Sequence, residues 1–151
     1  MKKVEVEIYT EFNHDYGLPE YARFGDAGMD IRSNITTTIE PMETKVIPTG
    51  MFVAIPYGYE LQVRPRSGLS LKTEFRIKNS PGTVDHGFRG ELCVIAHNLS
   101  PDLLFNIELG DRIAQIVLNE VPQIEWYPVN HRDHLPLSER GEGGFGHTGA
   151  N

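Results

Sequence analysis

The sequence predicts an all-β fold of the sandwich, jelly-roll or barrel kind, with one short helix. Glycine and proline, 15 and 10 residues of 151, are spread along the whole length and leave few windows long enough for a helix. Short runs of alternating apolar and polar residues recur, separated by turn residues at intervals of about ten residues. This length fits one compact domain, which we expect to be followed by a polar tail.

The strands follow from these runs in order. The first, at residues 4–9, reads Val-Glu-Val-Glu-Ile-Tyr, which is the pattern of a half-buried strand. Six further runs predict strands at residues 35–39, 44–47, 51–55, 59–63, 91–97 and 112–118. We expect a turn at Pro48-Thr-Gly50 between two of these strands, and a helix over residues 67–72. After Pro122 the apolar pattern fades, and we expect this region to lie across the surface of a neighbouring subunit.

Charge and composition exclude several classes of protein. A formal net charge of −7 argues against a nucleic-acid-binding surface, so an anionic ligand would need a local pocket, with Arg64, Arg66 and Arg140 as candidates. No apolar run has the length of a membrane span, and the first residues lack the apolar core of a signal peptide. We therefore expect a cytoplasmic protein with no membrane partner. The single cysteine, Cys93, excludes an intrachain disulfide and lies in an apolar run, which predicts a small buried thiol.

The C-terminal residues 140–149 combine five glycines with an arginine and an aromatic ring. The guanidinium of Arg140 offers a fork for phosphate oxygens, and Phe145 offers a flat face for a base. Glycines allow backbone N–H groups to approach an anion closely. The segment therefore indicates an arm that closes over a nucleotide, although a glycine-rich terminus is also typical of a solvated tail.

Four further segments place polar residues among glycines beside a strand: residues 27–31, 64–69, 82–90 and 110–116. At Arg66-Ser-Gly68 a strand ends and a helical turn begins, which predicts a phosphate site or an ordinary helix N-cap at Ser67. Residues 82–90 predict a β-hairpin in which Gly87 permits a positive φ. Asp85 would then be a partly desolvated carboxylate that accepts a proton from water, or a turn-stabilising residue. The amide of Gln115, alone in an apolar strand, needs a partner in the protein or in a ligand.

Together these segments resemble the five motifs of the homotrimeric dUTPase family, the deoxyuridine triphosphate nucleotidohydrolases, in the same order and along nearly the whole chain. The motifs are Ala27-Gly-Met-Asp30, Arg66-Ser-Gly68, residues 82–90, Gly110-Asp-Arg-Ile-Ala-Gln115 and the glycine-rich arm. The resemblance implies a jelly-roll-like β barrel over residues 1–128 and an extended tail and arm over residues 129–151. It also implies a homotrimer whose active sites are shared between subunits.

The resemblance further implies hydrolysis of dUTP to dUMP and pyrophosphate, which keeps uracil out of DNA and supplies dUMP for thymidylate synthesis. Asp85 would deprotonate the attacking water, while Asp30, and Gln115 as a second candidate, would hold Mg²⁺ through water. The residues expected to bind substrate are Arg66, Ser67, Gly68, Asn79, Gly82, Val84, Phe88, Gln115, Arg140, Phe145, Gly146 and Thr148. Within this set, Arg140 and Thr148 would contact the γ-phosphate and Phe145 the uracil.

Two positions depart from the family pattern, since Phe88 stands where tyrosine is usual and His147 where serine is common. A related family, dCTP deaminase, needs a glutamate at the place of Ile95, and isoleucine cannot carry a proton. A different kind of function, a binding module or structural subunit without catalysis, has no need for Asp30, Asp85 and Gln115.

Overall fold

The computed structural model describes residues 2–143. Its elements, in chain order, are β1 (Glu7–Thr10), β2 (Met29–Arg32), β3 (Thr37–Ile39), β4 (Thr44–Ala54), β5 (Tyr59–Arg64), α1 (Ser67–Lys72), β6 (Phe75–Ile77), β7 (Gly82–Val84), β8 (Glu91–Asn98), β9 (Phe105–Ile107), β10 (Arg112–Glu120) and a 3₁₀ turn (Arg132–His134). The predictions of an all-β fold and of a helix over residues 67–72 are both confirmed.

The strands form two four-stranded sheets, in the orders β1-β4-β8-β6 and β2-β10-β5-β7, and β3 pairs with β9 in a small third sheet. Every pairing is antiparallel, and the chain crosses repeatedly between the sheets, which gives the jelly-roll arrangement. No described helix is long and apolar enough to cross a membrane.

The core lies between the two large sheets and is built from alternate residues of their strands. In β8, for example, Leu92, Val94 and Ala96 are buried while the residues between them are half-buried. The facing sheet contributes apolar side chains such as Leu61 and Ile116 to the same cluster. Each such leucine, isoleucine or valine stabilises the fold by about 1.5–3 kcal/mol, so this core holds the strand ends that carry polar residues.

One buried polar side chain, Asn98, ties the end of β8 to two neighbouring segments. Its Nδ2 donates to the carbonyl oxygens of Ile39, at 3.1 Å, and Leu103, at 2.7 Å. Its Oδ1 accepts from the Ser100 N–H at 3.1 Å. Because buried polar groups without partners are costly, these bonds explain why an asparagine stands at a position that is 1 % exposed.

The prediction of two strands at residues 44–47 and 51–55 is wrong. They form one strand of 11 residues, β4, and the expected turn at residues 48–50 is an irregularity in its pairing with β8, between Pro48 and Met51. Gly50 has a φ of 70°, and a Cβ there would lie 2.8 Å from both Asn34 Nδ2 and Glu11 O. The proline and glycine therefore mark a β-bulge rather than a turn.

The prediction of a hairpin over residues 82–90 is also wrong. β7 pairs with β5 and β8 pairs with β4 and β6, so the segment carries the chain from one large sheet to the other. A single turn, with the Phe88 N–H bonded to Asp85 O at 3.0 Å, makes the crossing, and Gly87 does not have a positive φ. Glycines signal that the chain turns, but they do not specify which strands pair on either side.

Three short strands, β2, β6 and β9, were not predicted as strands, and β7 was predicted only as part of the hairpin over residues 82–90. Each has three or four residues, too few for an alternating pattern to stand out. Beyond β10 the described chain is largely exposed, including the side chains of Ile124, Trp126, Tyr127 and Leu137. The expectation that this region covers a neighbouring subunit, and the division at residue 128, stay predictions.

Candidate functional site

Three polar side chains stand in one row across the second large sheet. Gln115 of β10 is the Cα partner of Arg64 on β5 and of Asp30 on β2. The core-facing neighbours in these strands, among them Ile31, Val63 and Ile116, are buried, so the row lies on the outer face of the sheet. The antiparallel register thus brings the first and fourth motifs of the sequence side by side.

Two arginines hold the carboxylate of Asp30. Arg66 Nε donates to Asp30 Oδ1 at 2.8 Å, and Arg112 Nη1 donates to Asp30 Oδ2 at 3.3 Å. Arg66 Nη1 also donates to the backbone carbonyl of Arg112 at 3.2 Å. Partly exposed ion pairs of this kind contribute about 1 kcal/mol or less each, so their main effect is to fix the direction of the carboxylate and of Arg66. The two arginines and the one aspartate form a compact cluster with a net positive charge.

Gln115 finds its partner inside the protein. Its Nε2 donates to the carbonyl oxygen of Pro65 at 2.8 Å. Gln115 and Asp30 line one cavity of about 530 Å³, together with Gly28 and Arg112. Asp30 and Gln115 therefore bring oxygen atoms that could bind a metal ion or accept hydrogen bonds to the border of the same cavity.

The Arg66-Ser-Gly68 motif lies at the start of α1, next to this cluster. Arg66 is the N-cap residue and makes no side-chain cap, so the alternative of an N-cap at Ser67 is wrong. The first intrahelical bond runs from the Ser70 N–H to Arg66 O at 3.0 Å, and the N–H groups before it have no partner within the helix. Ser67 and Gly68 are exposed, so this part of the motif is open to a ligand.

A second group of predicted residues lies around β7. Asn79, Gly82, Val84, Asp85 and Phe88 line a cavity of about 300 Å³. Its other walls are largely apolar and come from β5, β4 and β8. The cavity has the mix of apolar walls and a few polar groups that is typical of sites for small molecules.

Details of this second group differ from the sequence-based expectations. Asp85 is exposed rather than partly desolvated, because it follows β7, which is an edge strand of its sheet. The ring of Phe88 packs over Gly90, where a Cβ would lie 2.7 Å from Cζ. Cys93 is half-buried rather than buried and lines the same cavity. Burial, and then the nearby Glu91 carboxylate, raise the pKa of the Cys93 thiol, which argues against a nucleophile.

The two groups are far apart in one chain. β7 pairs with β5 so that Val84 is opposite Leu61, which places Asp85 about level with Glu60, whereas Gln115 is opposite Arg64. That is roughly 13 Å along the strand, and three strand spacings of about 4.8 Å separate β7 from β2. Asp85 and Asp30 are thus on the order of 20 Å apart.

Within the arm, the structure describes Arg140. It is exposed, and its Nε donates to the carbonyl of Gly143 at 2.7 Å, within its own turn. Phe145, Gly146, His147 and Thr148 lie outside the described residues.

Two contributors to the group around Asp30 were missed from the sequence. Arg112 was not predicted as a site residue, but it pairs with Asp30. The neighbouring Asp111 bonds the backbone, since its Oδ2 accepts from the Glu108 N–H at 2.9 Å. Pro65 contributes through its carbonyl oxygen, which no side-chain pattern could have revealed. Arg64, an early candidate for anion binding, instead donates to Gln62 Oε1 at 2.9 and 2.6 Å.

Comparison with known proteins decides the family. The family model described as dUTPase matches residues 15–149, which is most of the chain. The chain belongs to the dUTPase family. It is 50% identical over 151 residues to the deoxyuridine 5′-triphosphate nucleotidohydrolase of Fusobacterium nucleatum, and the match covers 99% of each chain.

Solved structures of dUTPases agree with the fold. The dUTPase of Staphylococcus bacteriophage 80alpha with dUPNHPP matches with a TM-score of 0.85 and 31% identity, covering 97% of this chain and 99% of that one. A variant dUTPase from phage phi11 of S. aureus matches with a TM-score of 0.77 and 26% identity, over 86% of this chain and 99% of that one. That structure describes the coordination of a structural Mg(II) ion.

Proposed function

We propose that this protein hydrolyses dUTP to dUMP and pyrophosphate. The observation that carries the proposal is the coexistence, in a chain of the dUTPase family, of a cluster with Asp30, Arg66 and Gln115 and a separate cavity bordered by Asp85. The first has the charges to hold a triphosphate, and the second has the size and lining to hold a nucleoside. The reaction would remove dUTP before uracil enters DNA and would supply dUMP for thymidylate synthesis.

The residues of the first group fit a Mg²⁺-bound triphosphate. Magnesium takes oxygen ligands and keeps several of its waters, and Asp30 and Gln115 supply oxygens without a histidine or cysteine cage. Both carboxylate oxygens of Asp30 already accept from arginines, which favours contact through water. When bound, Mg²⁺ would neutralise charge on the phosphate oxygens. Arg66 and the N–H groups at the start of α1 would hold those oxygens during departure of pyrophosphate.

The second group would recognise the nucleoside and activate water. Asn79 and the backbone of β7 would pair with the uracil edge, and the Phe88 ring would pack on the deoxyribose. Asp85 would accept a proton from the water whose oxygen attacks the α-phosphorus. As that bond forms, the bond from the α-phosphorus to the bridging oxygen breaks and pyrophosphate leaves.

The distance between the groups supports a site shared between chains. A general base must lie within hydrogen-bond reach of the water that it deprotonates, directly or through one water. By the strand register Asp85 lies roughly 16 Å from Gln115 and roughly 20 Å from Asp30, so it cannot meet this condition beside them in one chain. Two copies can meet it if the cavity beside β7 of one faces the phosphate-binding cluster of the next, as in the homotrimer that we propose. The arm, with Arg140, Phe145, Gly146 and Thr148, would then close over the joint site.

The cavity also bears on deamination of dCTP, the nearest alternative reaction. Ile95 lines the cavity together with Val46. The position at which the deaminase needs a glutamate therefore presents an apolar side chain to the place that we propose for the base. This arrangement favours hydrolysis over deamination, because the isoleucine at position 95 cannot transfer a proton to the base.

The proposed function is tested by incubating the purified protein with Mg²⁺ and, separately, dUTP, dCTP, dTTP and UTP, then resolving the nucleotides and assaying pyrophosphate. We expect equimolar dUMP and pyrophosphate from dUTP and at least about tenfold slower turnover of the others. The cytosine edge of dCTP would leave buried polar groups unpaired, the 5-methyl group of dTTP would need extra room, and the 2′-hydroxyl of UTP would clash with the Phe88 ring packed on the sugar. Binding without hydrolysis would indicate the non-catalytic module, and conversion of dCTP to a uracil nucleotide would indicate the deaminase.

A further inference from the structure

The side-chain amide of Gln115 can take one orientation only. The Pro65 carbonyl can accept a hydrogen bond but cannot donate one, so the group that faces it at 2.8 Å must be the amide nitrogen. The oxygen, Oε1, is therefore directed to the other side. Among residues 2–143 no donor bonds this oxygen, and it borders the cavity that Asp30 also lines.

Gly28 lies on that other side. A Cβ at position 28 would be 2.5 Å from Gln115 Oε1, far closer than an ordinary carbon–oxygen contact of about 3.3 Å. The next nearest atoms, Val117 Cγ2 at 3.3 Å and the Ile116 carbonyl oxygen at 3.4 Å, are tight but bearable. The φ of Gly28 is not in the left-handed region, so the backbone itself does not require glycine. The requirement is for space beside one oxygen atom.

We propose that Gly28 is a positioning residue for the reaction, because its lack of a side chain lets Gln115 hold Oε1 out as a free acceptor next to Asp30. Pro65 fixes the amide from one side and Gly28 leaves room on the other. Oε1 would accept a hydrogen bond from a water in the cavity that Asp30 also lines. This role rests on the proposed function, since the water matters only if a triphosphate is hydrolysed there.

A double-mutant cycle tests the proposal, with Gly28→Ala, Gln115→Ala and both changes together. If Gly28 acts through Gln115, the alanine at position 28 costs on the order of 10²-fold in kcat, with little change in KM, when Gln115 is present. In the Gln115→Ala background the same change should alter kcat by less than about twofold, since the clashing oxygen is gone. Binding of a non-hydrolysable dUTP analogue, measured by calorimetry with Mg²⁺, should change little between the parent and Gly28→Ala, in keeping with the small change in KM.

Melting temperature gives a readout that does not depend on turnover. Gly28→Ala should lower it by several degrees in the parent and by clearly less in the Gln115→Ala background, where only the milder contact with Val117 Cγ2 at 3.3 Å remains. If Gly28→Ala fails to fold while the double variant folds, the clash with Gln115 is supported. The proposal would be overturned if neither variant folds, or if Gly28→Ala shifts the melting temperature equally in both backgrounds. It would also be overturned if Gly28→Ala keeps the parental kcat. An inactive parent would instead reject the proposed function, and the melting cycle would still show whether Gly28 leaves room for Gln115.

Discussion

Replacing Asp85 with asparagine should lower kcat for dUTP by at least about 10²-fold, the lower end of the range for loss of a general base. Asparagine keeps the shape of the side chain but cannot accept a proton from water. Because Asp85 is exposed and makes no side-chain hydrogen bond within residues 2–143, the change should leave the fold and nucleotide binding intact. Steady-state kinetics and calorimetry with a non-hydrolysable dUTP analogue would measure the two effects separately.

A matched control is Asp102→Asn, which changes another exposed aspartate, in the loop between β8 and β9 and away from both groups of site residues. It should keep kcat within about twofold of the parent, as is usual for surface substitutions. Near-parental turnover in Asp85→Asn would remove Asp85 from the role of base. Loss of analogue binding together with turnover would assign it to recognition instead.

Deleting residues 140–151 should reduce kcat/KM for dUTP by on the order of 10²-fold or more, because the proposed role of the arm is to bring charged and hydrogen-bonding groups to the reacting phosphate. The fold should survive, because residues 138–142 are exposed and Arg140 bonds only within its own turn in the described part of the chain. Turnover and melting temperature of the truncated protein would be compared with those of the parent.

The single variant Arg140→Ala separates charge from the rest of the arm. We expect Arg140→Ala to lower kcat/KM by part of the amount that the deletion does. The rest of the loss would come from Phe145, Thr148 and the glycines between them. A truncated protein that melts well below the parent would show that the arm is structural. Parental kcat/KM in the truncated protein would show that the arm does not close the site.

The sequence predicted the elements whose residues carry a strong local pattern. Strands with clear alternation, such as β5, β8 and β10, and the helix α1 were all anticipated. The errors arose where pairing decides the structure. Pro48 and Gly50 are ordinary turn residues, and only the contacts of Gly50 with Asn34 and Glu11 show that they form a bulge inside β4.

For the site, the sequence predicted which residues would take part better than it predicted which of them would lie side by side. The motif containing Asp30 was found, but its pairing with Arg112 depends on the register between β2 and β10. The Pro65 carbonyl and the space beside Gly28 are properties of the folded backbone. The separation of Asp85 from Gln115 likewise follows from the order of strands in the sheet, which no local pattern encodes.

Subunit complementation tests most directly whether the two groups of site residues meet between chains. Asp85→Asn and Gln115→Ala would be co-expressed with different tags, and mixed oligomers isolated by two affinity steps. Each variant alone should be nearly inactive. In a mixed cyclic trimer one site in three combines an intact Gln115 from one chain with an intact Asp85 from the next, so we predict roughly one-third of parental kcat. Mixed oligomers no more active than either variant alone would contradict the shared site, and with it our account of how this chain hydrolyses dUTP.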